Sequence, residues 1–385
     1  MKIVINKSNI ILLLYIILSA IYTSPLFSLQ RFNSVLYYLY YFNMIFIVFG
    51  FMTMIYKKDI KFLVLSVCET VTLTIICLLN GTEVRQWIVI LTLTIGMYYV
   101  TNITYVKSFF QILTFVGLTY NLVSFVISPG YYQQWYESEL IMNPNTIGIM
   151  NLFYAVIINS YIHLYISSKI KRCLYIFYNG FVMYVLYVYR GRTSQFAFVL
   201  FIVLFLLASI GKIINSKKII NAIMIGINIG GVLFPLLYTM VPKTLINWIA
   251  DYSGKSYFSG REVIWGRFYL ALMDFKNFLI GPGYWRKAEY TTLWSEKRVY
   301  SMHNNFLYIV LCFGMIGLFL YALFSVFRVI QMHKEGRINN IVGFSGFLAF
   351  MILGYTENTF SYAFFVVAFN LLLGMSSCGN IEKKL

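Results

Sequence analysis

The sequence predicts an all-α integral membrane protein, and three observations lead there. The chain is 60% hydrophobic and only 11% charged, whereas a soluble domain carries roughly a quarter of its residues charged. Water cannot solvate that composition. The apolar residues run in long continuous stretches rather than in alternation, which reads as helices and not as barrel strands. The basic residues sit in small clusters between those stretches. The net charge of +17 therefore forms no basic face or arm, and a nucleic-acid partner is rejected.

A membrane helix needs about 20 apolar residues. Stretches of that kind cover 9–29, 35–56, 61–79, 87–105, 107–128, 146–167, 172–190, 194–211, 219–241, 304–328, 339–356 and 359–378. That makes about twelve spans. The first lacks a clear small-x-small cleavage site and reads as a membrane anchor rather than a signal peptide. The fourth and fifth are barely separated. Glu69 falls in the middle of the third. An acid there is a candidate for proton coupling or a core group with an internal partner. Cys68, Cys77, Cys173, Cys312 and Cys378 lie in or beside apolar runs, form no CxxC pair and read as small core residues.

Orientation follows from the positive charges. With the N-terminus inside, the inner segments hold seventeen Lys and Arg, and the short outer loops hold only Arg31, Arg85, Arg190 and Arg192. An even number of spans follows, with both termini cytoplasmic. The chain 1–385 is then one polytopic domain. Residues 242–303 form a long external loop between the ninth and tenth spans. Every cytoplasmic connection is short and no P-loop is present, so chemistry belongs to the outer face, where no nucleotide pool exists.

In the long loop, Ser259 and Glu262 form an S-x-x-E capping box. Ile264, Phe268, Leu272, Phe275 and Leu279 recur at helical spacing, and Gly281-Pro282-Gly283 stops the pattern. A single short amphipathic helix on the membrane surface or over the bundle is expected. Arg261 sits in its first turn, where an arginine disfavours the helix dipole but is placed to hold an anion against free N–H groups. A solvated interfacial arginine is the alternative.

Tyr189-Arg190-Gly191-Arg192-Thr193-Ser194 is a tight outer turn. Its arginines either snorkel or hold a partner such as phosphate, to which guanidinium is suited. His303 is the one histidine on the outer face, and reads as a candidate general base or, as lone interfacial histidines more often do, as a structural group. Asn304 and Asn305 beside it could orient a sugar hydroxyl or cap the next helix. Asn143-Pro144-Asn145 reads as a turn and cap. Glu137 and Glu139 are the only acids near it. Acids are scarce outside and no DxD pair exists, so a dedicated metal site is not expected.

Several features together resemble the O-antigen ligase and polymerase superfamily. They are the late outer loop, Asn143-Pro144-Asn145, Arg192-Thr193-Ser194, Gly260-Arg261 with Trp265, Gly281-Pro282-Gly283, His303-Asn304-Asn305-Phe306-Leu307 and Phe313-Gly314-Met315-Ile316-Gly317. The resemblance covers roughly 140 to 380, and the first four spans add topology alone. One departure is that Tyr189 or Gly191 precedes the arginine where a serine is commoner, which leaves Arg190 and Arg192 as alternatives. The resemblance implies a lipid-sugar glycosyltransferase (GT-C-like) architecture. It also implies a donor and an acceptor glycan on undecaprenyl diphosphate at the outer leaflet, and a reaction needing neither nucleotide nor metal. Chain-length regulators and flippases are the implied protein partners, and membrane lipid surrounds the chain. Arg192 and Arg261 would hold the diphosphate and His303 would serve catalysis. Arg190, Arg267, Trp265, Asn304, Asn145 and Glu137 complete the expected substrate contacts.

The expected activity is polymerisation of lipid-linked repeat units for a capsule or O-antigen. A ligase moving the finished glycan to a lipid or wall acceptor is the runner-up. A flippase or transporter, with Glu69 and the outer arginines along its route, is the reading from another class, although no clear internal repeat supports it.

Overall fold

The computed structural model describes residues 6–26, 33–138, 142–210, 216–253, 261–283 and 302–378. Among them are helices and turns and no strand. In chain order the helices are α1 (Lys7–Thr23), α2 (Asn33–Tyr56), α3 (Ile60–Asn80), α4 (Val84–Leu91), α5 (Met97–Asn102), α6 (Lys107–Ile127), α7 (Tyr131–Ser138), α8 (Pro144–Tyr165) and α9 (Ser168–Val188). They continue with α10 (Arg192–Ile210), α11 (Lys217–Thr239), α12 (Lys243–Ser253), α13 (Arg261–Ala271), α14 (Phe275–Ile280), α15 (Asn305–Lys334), α16 (Ile341–Leu353) and α17 (Ala363–Met375).

Each of the twelve apolar stretches holds helix, but not as twelve equal spans. Eight described helices, counting α4 and α5 as one, are long and apolar enough to cross a membrane. Helices α16 and α17 have 13 residues each. At 1.5 Å per residue that is about 20 Å, short of the roughly 30 Å hydrocarbon core. Their side chains are buried almost throughout, so apolarity here reflects a protein interior rather than a lipid-facing span. They pack on each other, on α8 and on α10, and form the centre of the fold. The outer helices α3, α6, α9 and α10 turn apolar side chains such as Leu78, Phe177 and Val126 outwards, as lipid contact requires. Cys312 and Cys378 are buried, whereas Cys68 and Cys173 are exposed on outer helices rather than in the core.

Two long helices are interrupted, and each interruption has a partner. Between α4 and α5 the chain forms a π turn, Thr92–Gly96. The Thr92 carbonyl accepts a 2.6 Å hydrogen bond from Asn370 Nδ2 on α17, which satisfies backbone that a regular helix would have paired. Helix α15 is broken at Gly314, whose φ is 64° and ψ −166°. Leu279–Gly283 lies against the break. A Cβ on Gly314 would collide with the Leu279 carbonyl, and one on Gly281, with φ 78°, would come within 2.6 Å of the Leu311 and Val310 carbonyls. Only glycine accepts both the left-handed backbone and the close approach.

The carbonyls freed by the break are recovered. Gly283 N–H donates to Leu311 O at 3.0 Å. Asn80 Nδ2 reaches Cys312 O at 2.9 Å and Ile280 O at 2.7 Å, and the Thr82 hydroxyl donates to Cys312 O at 2.9 Å. Irregular backbone inside a membrane fold is tolerated where protein groups satisfy it in this way.

The single amphipathic helix expected after Arg261 is two helices. Asp274 N-caps α14 by accepting from Asn277 N at 2.9 Å, and Asn277 Nδ2 donates back to Ala271 O at 3.1 Å. These local bonds compete with helix continuation and end α13 at Ala271. The Ser259–Glu262 capping box, by contrast, lies outside the described residues.

The two ends of the bundle differ. At one end the loops after α2, α5 and α15 meet through Lys57, Asn102, Asp59, Gln331 and Arg337. At the other end meet the starts of α8, α10, α13 and α15 and the end of α16, and there the candidate residues gather.

Candidate functional site

Each wall of this second end is set by a local cap. Asn143 accepts from Asn145 N at 2.8 Å, and Pro144 takes the first helical position of α8, where its missing N–H costs nothing. Tyr189 anchors the next turn. Its ring is buried against Tyr131 at 5.3 Å, and its hydroxyl donates to Ser124 O at 2.9 Å. The chain then turns through Arg190, with φ 53°, and Arg192 opens α10.

Arg261 opens α13. Trp265, one turn on, is 1% exposed. Its indole N–H donates to Met302 O at 2.7 Å, and its ring meets Tyr238 edge-on at 5.4 Å. Trp265 therefore ties the start of α13 to the residue before His303. It is a strut, not the substrate contact expected from the sequence.

His303 follows with φ 48°, and Asn304 caps α15. The Asn304 Oδ1 accepts from Phe306 N at 2.8 Å and Leu307 N at 2.9 Å. Its Nδ2 donates to Gly231 O at 2.9 Å and Tyr355 O at 3.0 Å. All four positions of the amide are used and the residue is fully buried, so Asn304 has no group left for a sugar. Asn305 is also buried and holds the turn after α16, through Thr359 Oγ1 at 2.8 Å and Phe360 N at 3.0 Å.

That turn delivers Glu357, which the sequence reading did not select. Its side chain is 10% exposed, and its Oε1 lies 3.0 Å from Arg261 Nη2. The same oxygen accepts from Thr193 Oγ1 at 3.3 Å and from Asn145 Nδ2 at 3.4 Å. The other oxygen is 3.9 Å from His303 Nδ1. Four separated segments thus meet on one carboxylate. Burial by itself would raise the Glu357 carboxyl. The adjacent Arg261 guanidinium, the His303 ring and the Thr193 hydroxyl outweigh that and hold it below its ordinary range.

A cavity of about 710 Å³ opens here. Arg190, Arg192, Arg261, His303, Asn145 and Glu357 supply its polar wall, and Phe196, Leu237 and Ile249 belong to its apolar wall. The Arg190 guanidinium lies over the Tyr132 ring at 5.2 Å, a cation–π geometry. A second cavity of about 450 Å³ shares Arg190 and Arg192 and adds Asp251, Tyr252 and Gln195. Among the described residues that line the larger cavity, three guanidinium groups face one carboxylate, a balance that suits a polyanionic ligand with a greasy tail.

Of the expected residues, the fold brings together Arg190, Arg192, Arg261, His303 and Asn145. Arg267 is exposed on α13 and does not line the cavity. Glu137 belongs to α7, and its side chain lies outside the described residues. Glu69 is fully buried on α3 and does not line the cavity. One signal could have found Glu357: it is an acid in the short linker between the last two apolar stretches, at the end that carries His303. Among the described residues no cluster of three His, Cys, Asp or Glu suited to a metal is present. Comparisons with models of protein families, with curated proteins and with solved structures found no match to the chain.

Proposed function

We propose that the protein is a membrane glycosyltransferase that joins undecaprenyl-diphosphate-linked oligosaccharide repeat units on the outer face of the bacterial cytoplasmic membrane. The observation that carries this reading is the convergence of Arg190, Arg192 and Arg261 with His303 on one cavity that also has an apolar wall. Arg190 and Arg192 share one turn, but Arg261 and His303 come from two other segments, so snorkelling alone gives no reason for them to meet. The resemblance of the motifs to the O-antigen ligase and polymerase superfamily supplies the substrate class.

The chemistry follows from the charges. The hydroxyl oxygen of the acceptor sugar attacks the anomeric carbon of the donor. A C–O glycosidic bond forms, the C–O bond to the diphosphate breaks, and undecaprenyl diphosphate leaves. The guanidinium groups stabilise the negative charge developing on the leaving group. His303 takes the proton from the hydroxyl. Glu357 has two tasks: it holds Arg261 in place and faces Nδ1 of His303. The second cavity, which shares Arg190 and Arg192, offers room for a second lipid-linked chain beside the first, as polymerisation needs.

The decisive measurement uses purified protein, lipid-linked repeat units and no added nucleotide. Formation of longer lipid-linked chains supports polymerisation. Transfer only to a lipid-core or wall acceptor assigns the ligase reaction. No transfer to any acceptor, together with movement of the lipid-linked unit across vesicles, rejects an enzyme in favour of a flippase.

A further inference from the structure

The end of the bundle opposite the arginine cavity holds a second polar chamber that the proposed reaction does not use. It has a volume of about 450 Å³, and Lys57, Lys58, Lys61, Asp59, Tyr98 and Gln331 are among the residues lining it. Arg328 adjoins it through two of these. Its guanidinium stacks on Tyr98 at 4.5 Å, and its Nη1 donates to Gln331 Oε1 at 2.5 Å. Arg337 joins through Asn102, whose Oδ1 accepts from Arg337 Nη1 at 2.8 Å and from Lys57 Nζ at 2.7 Å.

The charges do not cancel. Five basic side chains face two carboxylates. Asp59 is taken up by neutral donors: Oδ1 caps α3 at Phe62 N, and Oδ2 accepts from Tyr98 at 2.8 Å and Gln331 at 3.0 Å. Glu335 pairs with Arg337 at 3.2 Å. Among the described residues no carboxylate lies within ion-pair distance of Lys57, Lys58 or Lys61. Arg328 is 1% exposed, and its Nη2 has no hydrogen-bond partner there. A buried guanidinium with an unmet N–H is costly unless something completes it. Partial desolvation of Lys57 lowers its ammonium below the ordinary lysine range, and Arg337 and Arg328 beside it add to the shift.

The setting indicates where an anion would come from. The chamber lies where α2 ends and α3 begins. Ile60, which lines it, is 69% exposed, and Ile55 and Val64 next to it are 61% and 56% exposed. A phosphate in the chamber would thus have an apolar flank beside it for acyl chains. Basic pockets between membrane helices hold anionic headgroups in this way.

We propose that this chamber binds the phosphate of an anionic phospholipid, held by Lys57, Lys58 and Lys61 and backed by Arg328. The site is separate from the arginine cavity and stands whether or not that cavity transfers sugars.

The test is native mass spectrometry of the full chain released from detergent with added diacyl phosphatidylglycerol or phosphatidylcholine. The unmodified protein retains phosphatidylglycerol and not phosphatidylcholine. Lys57→Gln with Lys61→Gln, both at exposed positions, weakens retention by roughly tenfold or more, since each basic group near a lipid phosphate contributes substantially. Lys107→Gln, outside the chamber, leaves retention unchanged. Millimolar inorganic phosphate or pyrophosphate does not displace the lipid. Equal retention of both lipids overturns the proposal, as does a Lys107→Gln loss equal to that of the double variant. Displacement by soluble phosphate overturns the lipid as carrier and assigns the chamber to a free anion.

Discussion

Arg261 and Glu357 are 96 residues apart in the chain and 3.0 Å apart in the fold. The pair closes the cavity on one side and decides what Arg261 can do. A guanidinium already turned towards a carboxylate is oriented, and its remaining N–H groups are free to fork onto a second anion. The partly buried position, 12% and 10% exposed for the two side chains, gives such a pair more weight than a surface bridge.

Arginine's planar fork, not its charge alone, is what a diphosphate needs. Arg261→Lys and Arg192→Lys keep the charge and lose bidentate geometry. Each is expected to lower chain extension by roughly two orders of magnitude, the scale of losing one donor to a developing anion. Polymer yield is compared at equal membrane abundance. Near-normal polymer from both variants returns the arginines to interfacial snorkelling.

The Arg261–Glu357 pair sets a pH dependence whose sign is fixed. The Glu357 carboxyl is held below its ordinary value of 4.5. A depressed carboxyl contributes stability that is fully present above the unfolded value and lost as pH falls through the folded one. Thermal melting in detergent should therefore fall as pH drops below about 4.5, the ordinary carboxyl value. Glu357→Gln should flatten that part of the profile and lower the melting temperature at neutral pH. A parallel profile for the variant would detach the carboxylate from the fold's acid sensitivity.

The break in α15 depends on contacts rather than on flexibility. Gly314→Ala places a methyl group against the Leu279 carbonyl at a left-handed position, and strain of about 1–3 kcal/mol comes before any collision. Asn80→Ala removes a donor that serves both the Ile280 and the Cys312 carbonyls and leaves only the Thr82 hydroxyl on Cys312, at a cost of about 1–3 kcal/mol. Both variants are expected to melt earlier than the parent, and Gly314→Ala to accumulate poorly. A Gly314→Ala protein that melts with the parent would mean that the Leu279–Gly283 segment is not held at the break.

Some of this was legible from sequence and some was not, for physical reasons. Apolar stretches, the Asn143-Pro144 cap and the Gly281-Pro282-Gly283 turn are local signals, and helices or turns occupy all of them. The end of α13 was also local, since Asp274 and Asn277 are a cap pair, but the apolar periodicity from Ile264 to Leu279 runs straight through them. Hydropathy did not distinguish α16 and α17, which are buried in protein, from spans facing lipid, because both environments select the same residues. The break at Gly314 and the role of Glu357 depend on partners far along the chain. By sequence Asn304 is either a sugar contact or a helix cap; the fold makes it the cap, because all of its hydrogen-bonding capacity is used there and on distant carbonyls.

His303 is the sharpest remaining test of the mechanism. It lines the cavity with the three arginines, its Nδ1 faces Glu357 at 3.9 Å, and its neighbours on both sides are held, Met302 through Trp265 and Asn304 through its cap. The ring is thereby placed without being buried, at 36% exposure, as a base that must meet incoming substrate requires. His303→Ala removes the proposed proton acceptor and leaves the arginines. Chain extension should be lost, by about 10²–10⁴-fold for a positioned general base, while binding of the lipid-linked donor stays close to that of the parent. Purified protein and lipid-linked repeat units measure both quantities in one preparation. Undiminished extension by His303→Ala would take the histidine out of the chemistry. The proton would then pass to Glu357, the one carboxylate among the described residues that line this cavity, and Glu357→Gln would become the variant that stops the reaction.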